Sequence, residues 1–173
     1  MIRAFLRGFS ISLCALIVGC DSSSSTSTPE SISIDVIYQP FEYGFMVQRV
    51  DEECVYAFSN LADSIIVPRE LDNVYHYCLE FAGLPQNEAV VEHPAGDLLL
   101  PDGAFGRVWS HYNIVRQNLG FATAHSESFA GSIPSSTPIL NGAPISVPVA
   151  PLPDGKVLWC GMRAATAGTC SIR

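Results

Sequence analysis

The chain has 173 residues, six of them cysteine, with 17 acidic and 9 basic side chains and a formal charge of −8. Acidic excess argues against nucleic acid and against a polybasic grip on anionic lipid, because both partners are polyanions. Nearly half the residues are apolar, glycine and proline are plentiful and charges are few, which suits short strands and tight turns rather than a helical bundle.

Met1, Arg3 and Arg7 form a short basic start, and "GFSISLCALIVGC" follows as an apolar run too short to span a bilayer as an ordinary helix. It closes on Ile17, Val18, Gly19 and Cys20, which resembles the bacterial lipobox. The resemblance implies a signal peptide over 1–19 and a lipidated, triacylated Cys20 as the mature N-terminus. Several buried acyl chains would hold the protein on the extracytoplasmic side of its membrane, where one chain holds only marginally. The choice between inner and outer membrane stays open, as do an ordinary secretory signal and an uncleaved anchor. Cleavage would remove two of the nine basic residues and none of the acidic ones, leaving seven against seventeen and a charge of −10. That charge suits a solvated, monomeric domain on a tether.

The Ser/Thr-rich stretch that follows, with Pro29, lacks apolar periodicity and reads as a flexible linker, 20–33 including the lipidated residue. From Ile34 to Arg173 the expectation is one compact, mainly β, disulfide-containing domain with one short helix. "FMVQRV" (45–50) and "CVYAF" (54–58) predict a hairpin, with Gly44 permitting a bulge or a close backbone approach. Pro68 interrupts any helix from Leu61, so a loop is expected there, with a helical turn near 69–74. Pro101, Asp102 and Gly103 predict a turn leading into a short segment to Trp109. "SHYNIVRQNLG" predicts the helix: Ser110 to cap it, Tyr112, Val115 and Leu119 on one face, and Gly120 to end it. Six prolines between 134 and 153 predict an extended wrapping segment or an edge strand. Val157–Met162 and Thr169–Ile172 predict a terminal hairpin.

With Cys14 in the signal and Cys20 lipidated, Cys54, Cys78, Cys160 and Cys170 remain, an even number in an exported chain. Three pairings are formally possible. Cys54–Cys78 and Cys160–Cys170 are favoured because each closes a loop within one predicted substructure. No Cys-x-x-Cys spacing or nearby histidine completes a zinc site, so no metal or cofactor is expected.

"GAFGRVWSHYNIVRQNLGFATAHSESF" and "QPFEYGFMV" resemble a module of exported bacterial proteins, similar to the LGFP repeat. The matching positions are Phe105, Gly106, Val108, Trp109, Val115, Arg116, Leu119, Gly120, Phe121, Ala122, Thr123 and Glu127 in the longer stretch. In the shorter they are Gln39, Phe41, Gly44, Met46 and Val47. The order of the two stretches is reversed relative to such arrays, each occurs once, and together they cover roughly a quarter of the mature chain. The resemblance implies an envelope location and a cell-wall or surface glycan as partner. It implies no catalytic residue.

His125, Ser126 and Glu127 suggest acyl transfer, with His111 or Asp102 near. Neighbours on an extended chain face opposite ways, however, and no G-x-S-x-G elbow occurs in the mature chain. Glu127 is better read as bonding backbone amides or Arg116, fixing the helix against a loop. Cys54 or Cys78 with His76, His93 or His111 lacks any peptidase signature. Phe105, Trp109, Tyr112 and Phe121 read first as core and second as a sugar platform. Asp97, Asp102 and Asp154 read as turn residues. The functional expectation is a membrane-anchored lipoprotein, non-enzymatic, that binds or scaffolds at the envelope. The alternatives are an envelope hydrolase using His125/Glu127 or His111, and an acidic inhibitor or assembly factor.

Overall fold

The structure, a computed structural model, describes residues 30–68, 78–85, 93–135, 139–140, 143–144, 146–161 and 170–173. The signal, Cys20 and the linker up to residue 29 lie outside the described residues, as do the expected helical turn at 69–74, His76, Met162 and Thr169.

The chain opens with β1 (Ser31–Phe41), β2 (Gly44–Arg49) and β3 (Cys54–Ser59), an antiparallel meander. The hairpin expected at 45–58 is therefore present. β1 starts at Ser31, inside the stretch read as linker, because Ser31–Ser33 pair with Ser132–Pro134 of β6 (Glu127–Pro134). Two short strands, β4 (Ser64–Ile65) and β5 (Leu79–Glu80), pair with opposite ends of β3. The sheet runs β4-β3-β2-β1-β6, with β5 also on β3.

Alternation along these strands gives the sheet two apolar faces. Val36, Tyr38, Phe45, Val47, Tyr56 and Phe58 point one way, with Phe45 stacked on Phe58 at 5.2 Å. A second sheet of β9 (Ser146–Pro151), β10 (Val157–Gly161) and β11 (Cys170–Ile172) covers this face through Ala150, Leu158 and Cys160. β9 is an edge strand of that sheet, as its prolines require, and Pro148 lies opposite Trp159 where the register shifts. Gly131 of β6 admits the Pro151 ring, which a Cβ there would strike. Residues 139–140 (β7) and 143–144 (β8) form a separate two-stranded pair.

Met46, Val55, Ala57 and Phe41 face the other way, under α1 (Gly103–His111) and α2 (Asn113–Leu119). The described residues are mainly β, with two short helices among them where one was expected. The Pro-Asp-Gly stretch leads straight into α1, so 103–109 is helical rather than an irregular segment. Ser110 lies inside α1, its hydroxyl donating to the Arg107 carbonyl, and caps nothing. No glycine or proline falls between Arg107 and Leu119, yet Tyr112 is extended (φ −95, ψ 101) and breaks the helix.

Both favoured disulfides form. Cys160 and Cys170 sit opposite each other in the β10–β11 ladder with Cα atoms 4.1 Å apart. Cys54 and Cys78, 5.4 Å apart at Cα, tie β3 to the residue before β5. Loops of 10 and 24 residues are closed. Constraint of the unfolded chain by loops of this size contributes about 3 kcal/mol each. Replacing Cys160 and Cys170 together by Ala should lower urea-unfolding stability by about 3 kcal/mol. A loss under about 1 kcal/mol would show that the β10–β11 ladder stands without its cross-link.

Candidate functional site

The two motif stretches, some seventy residues apart in sequence, meet in the fold. Glu42 and Tyr43 amides donate to the Phe121 and Leu119 carbonyls at 3.0 and 3.1 Å, and the Thr123 amide donates to the Pro40 carbonyl at 3.0 Å. Ala122 bridges to Phe41 on one side and to Leu99 on the other. Gln39, fully buried, donates from Nε2 to the Ala124 carbonyl at 3.1 Å, and its Oε1 finds no partner among the described residues.

Within the helical layer the Trp109 indole N–H donates to the Gly120 carbonyl at 2.6 Å. Arg116 lies 5.6 Å over the Trp109 ring, a cation–π distance. Its guanidinium also donates to the Ser110 carbonyl at 3.2 Å and to Asn113 Oδ1 at 3.0 Å. The first of these satisfies a carbonyl left free at the end of α1. Together the two residues fold α2 back on α1 across Tyr112. Gly120 has φ +70 and ψ −151, a region essentially restricted to glycine, and a Cβ there would meet the Glu42 side chain.

Glu127 is not the carboxylate of this cluster. It is exposed on β6 opposite Tyr38, while the Arg116 guanidinium donates to Ser110 and Asn113 instead. Its expected role falls to Glu42, whose Oε2 accepts the Phe121 amide at 2.9 Å. The only sequence signal for Glu42 was its place between Phe41 and Gly44. Phe105 and Trp109 are each 1% exposed, and Tyr112 and Phe121 pack half-buried against the same cluster. Trp109 and Phe121 rings lie 5.4 Å apart. The aromatic group is core, and Trp109 offers no sugar a face.

His125 is exposed, and the Ser126 hydroxyl donates to Asp102 Oδ1 at 2.9 Å rather than to a histidine. His111 is exposed and meets the Tyr112 ring edge-on at 4.7 Å. His93 is exposed beyond α1's sequence start, and Asp97 and Asp154 occupy turns. Asp154 accepts the Lys156 amide at 3.1 Å and pairs with its ammonium at 2.6 Å.

A different cluster surrounds the Cys54–Cys78 disulfide. An open cavity of about 420 Å³ is lined by Glu52, Glu53, Tyr56 and Glu80 besides the two cysteines. Glu52 accepts the Tyr56 hydroxyl at 2.7 Å and pairs with Arg49 at 2.9 Å. Arg49 also grips Asp51 through Nε and Nη2, and this bond holds the Asp51 carboxyl below its usual range. Burial, reinforced by the bond to Glu52, pushes the Tyr56 phenol well above its ordinary value. Glu52, Cys54 and Cys78 present ligand-type atoms within 4.8 Å of one another. Both sulfurs are in the disulfide, which leaves no thiolate to coordinate a metal. The "DEE" run carried only a turn in the sequence; its convergence with Glu80 depends on β5 pairing with β3.

Glu42→Ala should cost about 1 kcal/mol in urea unfolding, while Glu127→Ala should stay within about 0.5 kcal/mol. Equal losses would return the structural role to Glu127. Gly120→Ala should cost about 1–3 kcal/mol from backbone strain, and part of that loss should disappear when Glu42 is also Ala. A raised folded-state value makes the Tyr56 contribution complete below the unfolded phenol value near pH 10 and lost as pH climbs above it. Tyr56→Phe should therefore flatten the fall of stability measured between about pH 9 and 11.

No helix among the described residues is long and apolar enough to cross a membrane. No protein-family model matches the chain, and neither a curated protein nor a solved structure shows significant similarity to it.

Proposed function

We propose that the chain is a bacterial lipoprotein, held on the extracytoplasmic side of its membrane by lipidated Cys20, whose domain binds or scaffolds at the envelope without turnover. One observation carries the non-enzymatic part. Trp109, Arg116 and Glu42, polar side chains of the two motif stretches, are engaged in folding the helices on each other and in tying the segment after α2 to the turn after β1. The Ser126 hydroxyl is likewise engaged with Asp102. Two disulfides suit an exported domain of this size.

Because β1 begins at Ser31, the linker from Cys20 is about ten residues long. Even fully extended, ten residues reach at most about 36 Å, so the domain would work close to the membrane surface. Wall or surface glycan is the partner that the LGFP-like resemblance suggests. With Trp109 buried, such a ligand would be met by exposed residues rather than by the aromatic cluster.

The second reading, an acidic inhibitor or assembly factor, is favoured by Glu52, Glu53 and Glu80 around one cavity. It predicts binding to a basic partner that weakens steeply with salt.

Cells fed a clickable palmitate analogue should label the wild-type chain and place it in the membrane fraction. Cys20→Ala should lose both the label and the fractionation. An unlabelled wild type, or a Cys20→Ala chain that still labels, would refute the anchor.

A further inference from the structure

We propose that the Cys54–Cys78 disulfide is a site of thiol–disulfide exchange, whose reductant is selected by charge: cationic thiols open it and anionic thiols are turned away. The two disulfides differ in access. Cys160 and Cys170 are 0% and 3% exposed inside the β10–β11 layer. Cys54 is partly exposed and Cys78 is 9% exposed, and both line the cavity of about 420 Å³. That volume admits a small thiol with its substituent.

The rim sets the selectivity. Glu53 and Glu80 are exposed, and Glu52 Oε2 lies 3.6 Å from Cys54 Sγ. Arg49 reaches Glu52 but is shared with Asp51. Among the described residues one cation thus stands against Asp51, Glu52, Glu53 and Glu80, and these carboxylates set a negative field over the disulfide. A concave, partly desolvated site concentrates ions of opposite charge and excludes like ones.

The exchange balances in two steps. A thiolate attacks Cys54 Sγ, the sulfur of the more exposed residue; the S–S bond breaks and Cys78 leaves as thiolate, taking a proton from water. Glu52 disfavours negative charge on Cys54, so expulsion of Cys78 is the easier direction. A second thiolate then attacks the small-molecule sulfur of the mixed disulfide and releases Cys54, which is protonated in turn. Two small thiols become one disulfide, and the protein gains two cysteine thiols and two electrons.

The fold permits this locally. β5 is also held by its pairs Cys54–Glu80 and Val55–Leu79 and by burial of Leu79 under the helical layer, contacts that do not involve the S–S bond. The reaction therefore does not depend on unfolding the domain, and it stands independently of the lipoprotein reading.

The test uses the full-length chain in detergent with cysteamine or 2-mercaptoethanesulfonate at equal thiolate concentration. Alkylation and peptide mass spectrometry then read each disulfide, with rates normalised to an uncharged model disulfide. Cys54–Cys78 should open first, with cysteamine favoured about tenfold at low salt. The preference should shrink toward parity near 1 M salt, where the Debye length falls to about 3 Å. A Glu53→Gln/Glu80→Gln variant, altered only at exposed positions, should narrow the preference with its melting temperature unchanged. Simultaneous opening of both disulfides, resistance of Cys54–Cys78 to both thiols, or a preference unmoved by salt and by the variant would overturn the proposal.

Discussion

Where Ala122 lies between Phe41 and Leu99, three separate stretches of backbone share one ladder, and this seam fastens the helical layer to the sheet. Buried amides and carbonyls cannot be left unpaired, so a helix pair laid over a sheet needs somewhere to place the backbone that enters and leaves it. The turn after β1 and the segment after α2 solve that problem for each other, through Glu42, Tyr43 and Thr123. Close approach is possible because Gly44 and Gly120 carry no side chain where the Phe58 carbonyl and the Glu42 side chain sit. Once the seam is closed, Met46, Val55 and Ala57 are covered by Phe105, Val108, Trp109 and Leu119.

The opposite face obeys a different constraint. A second sheet must lie flat on β1, β2 and β6 while carrying Pro148 and Pro151. It does so with β9 as an edge, a register shift opposite Trp159, and a disulfide between β10 and its short partner β11. Gly131 allows the Pro151 ring to approach β6. The central strands are thereby buried on both sides, which explains why Phe45, Met46 and Val47 are apolar in succession rather than alternating.

Charge is arranged with the same economy. Arg116 serves the helix break and the Trp109 ring at once, so the glutamate that shares its motif is left in solvent. A second group of carboxylates gathers at the start of β3, where among the described residues one arginine faces Asp51, Glu52, Glu53 and Glu80 beside an accessible disulfide. The molecule thus separates a polar cluster that holds its fold from an acidic one that meets solvent.

The sequence by itself determined the mainly β class and the hairpin of β2 and β3, narrowed the proline-rich segment to a wrapping stretch or an edge, and favoured one of three disulfide pairings. These follow from alternation, turn residues and loop closure, all local properties of the chain. It also marked the residues of the seam, though not their roles. The tertiary structure alone decided that 103–109 is helical, that the helix breaks at Tyr112, that Glu42 rather than Glu127 bonds the Gly120–Phe121 turn, and that Glu80 joins Glu52 and Glu53. The two carboxylate placements depend on partners far along the chain, and the helix break on side chains that reach back within their own segment. Trp109 and Arg116 bend a segment whose own pattern would have continued as helix, and a carboxylate is assigned to its amide by where two strands place it.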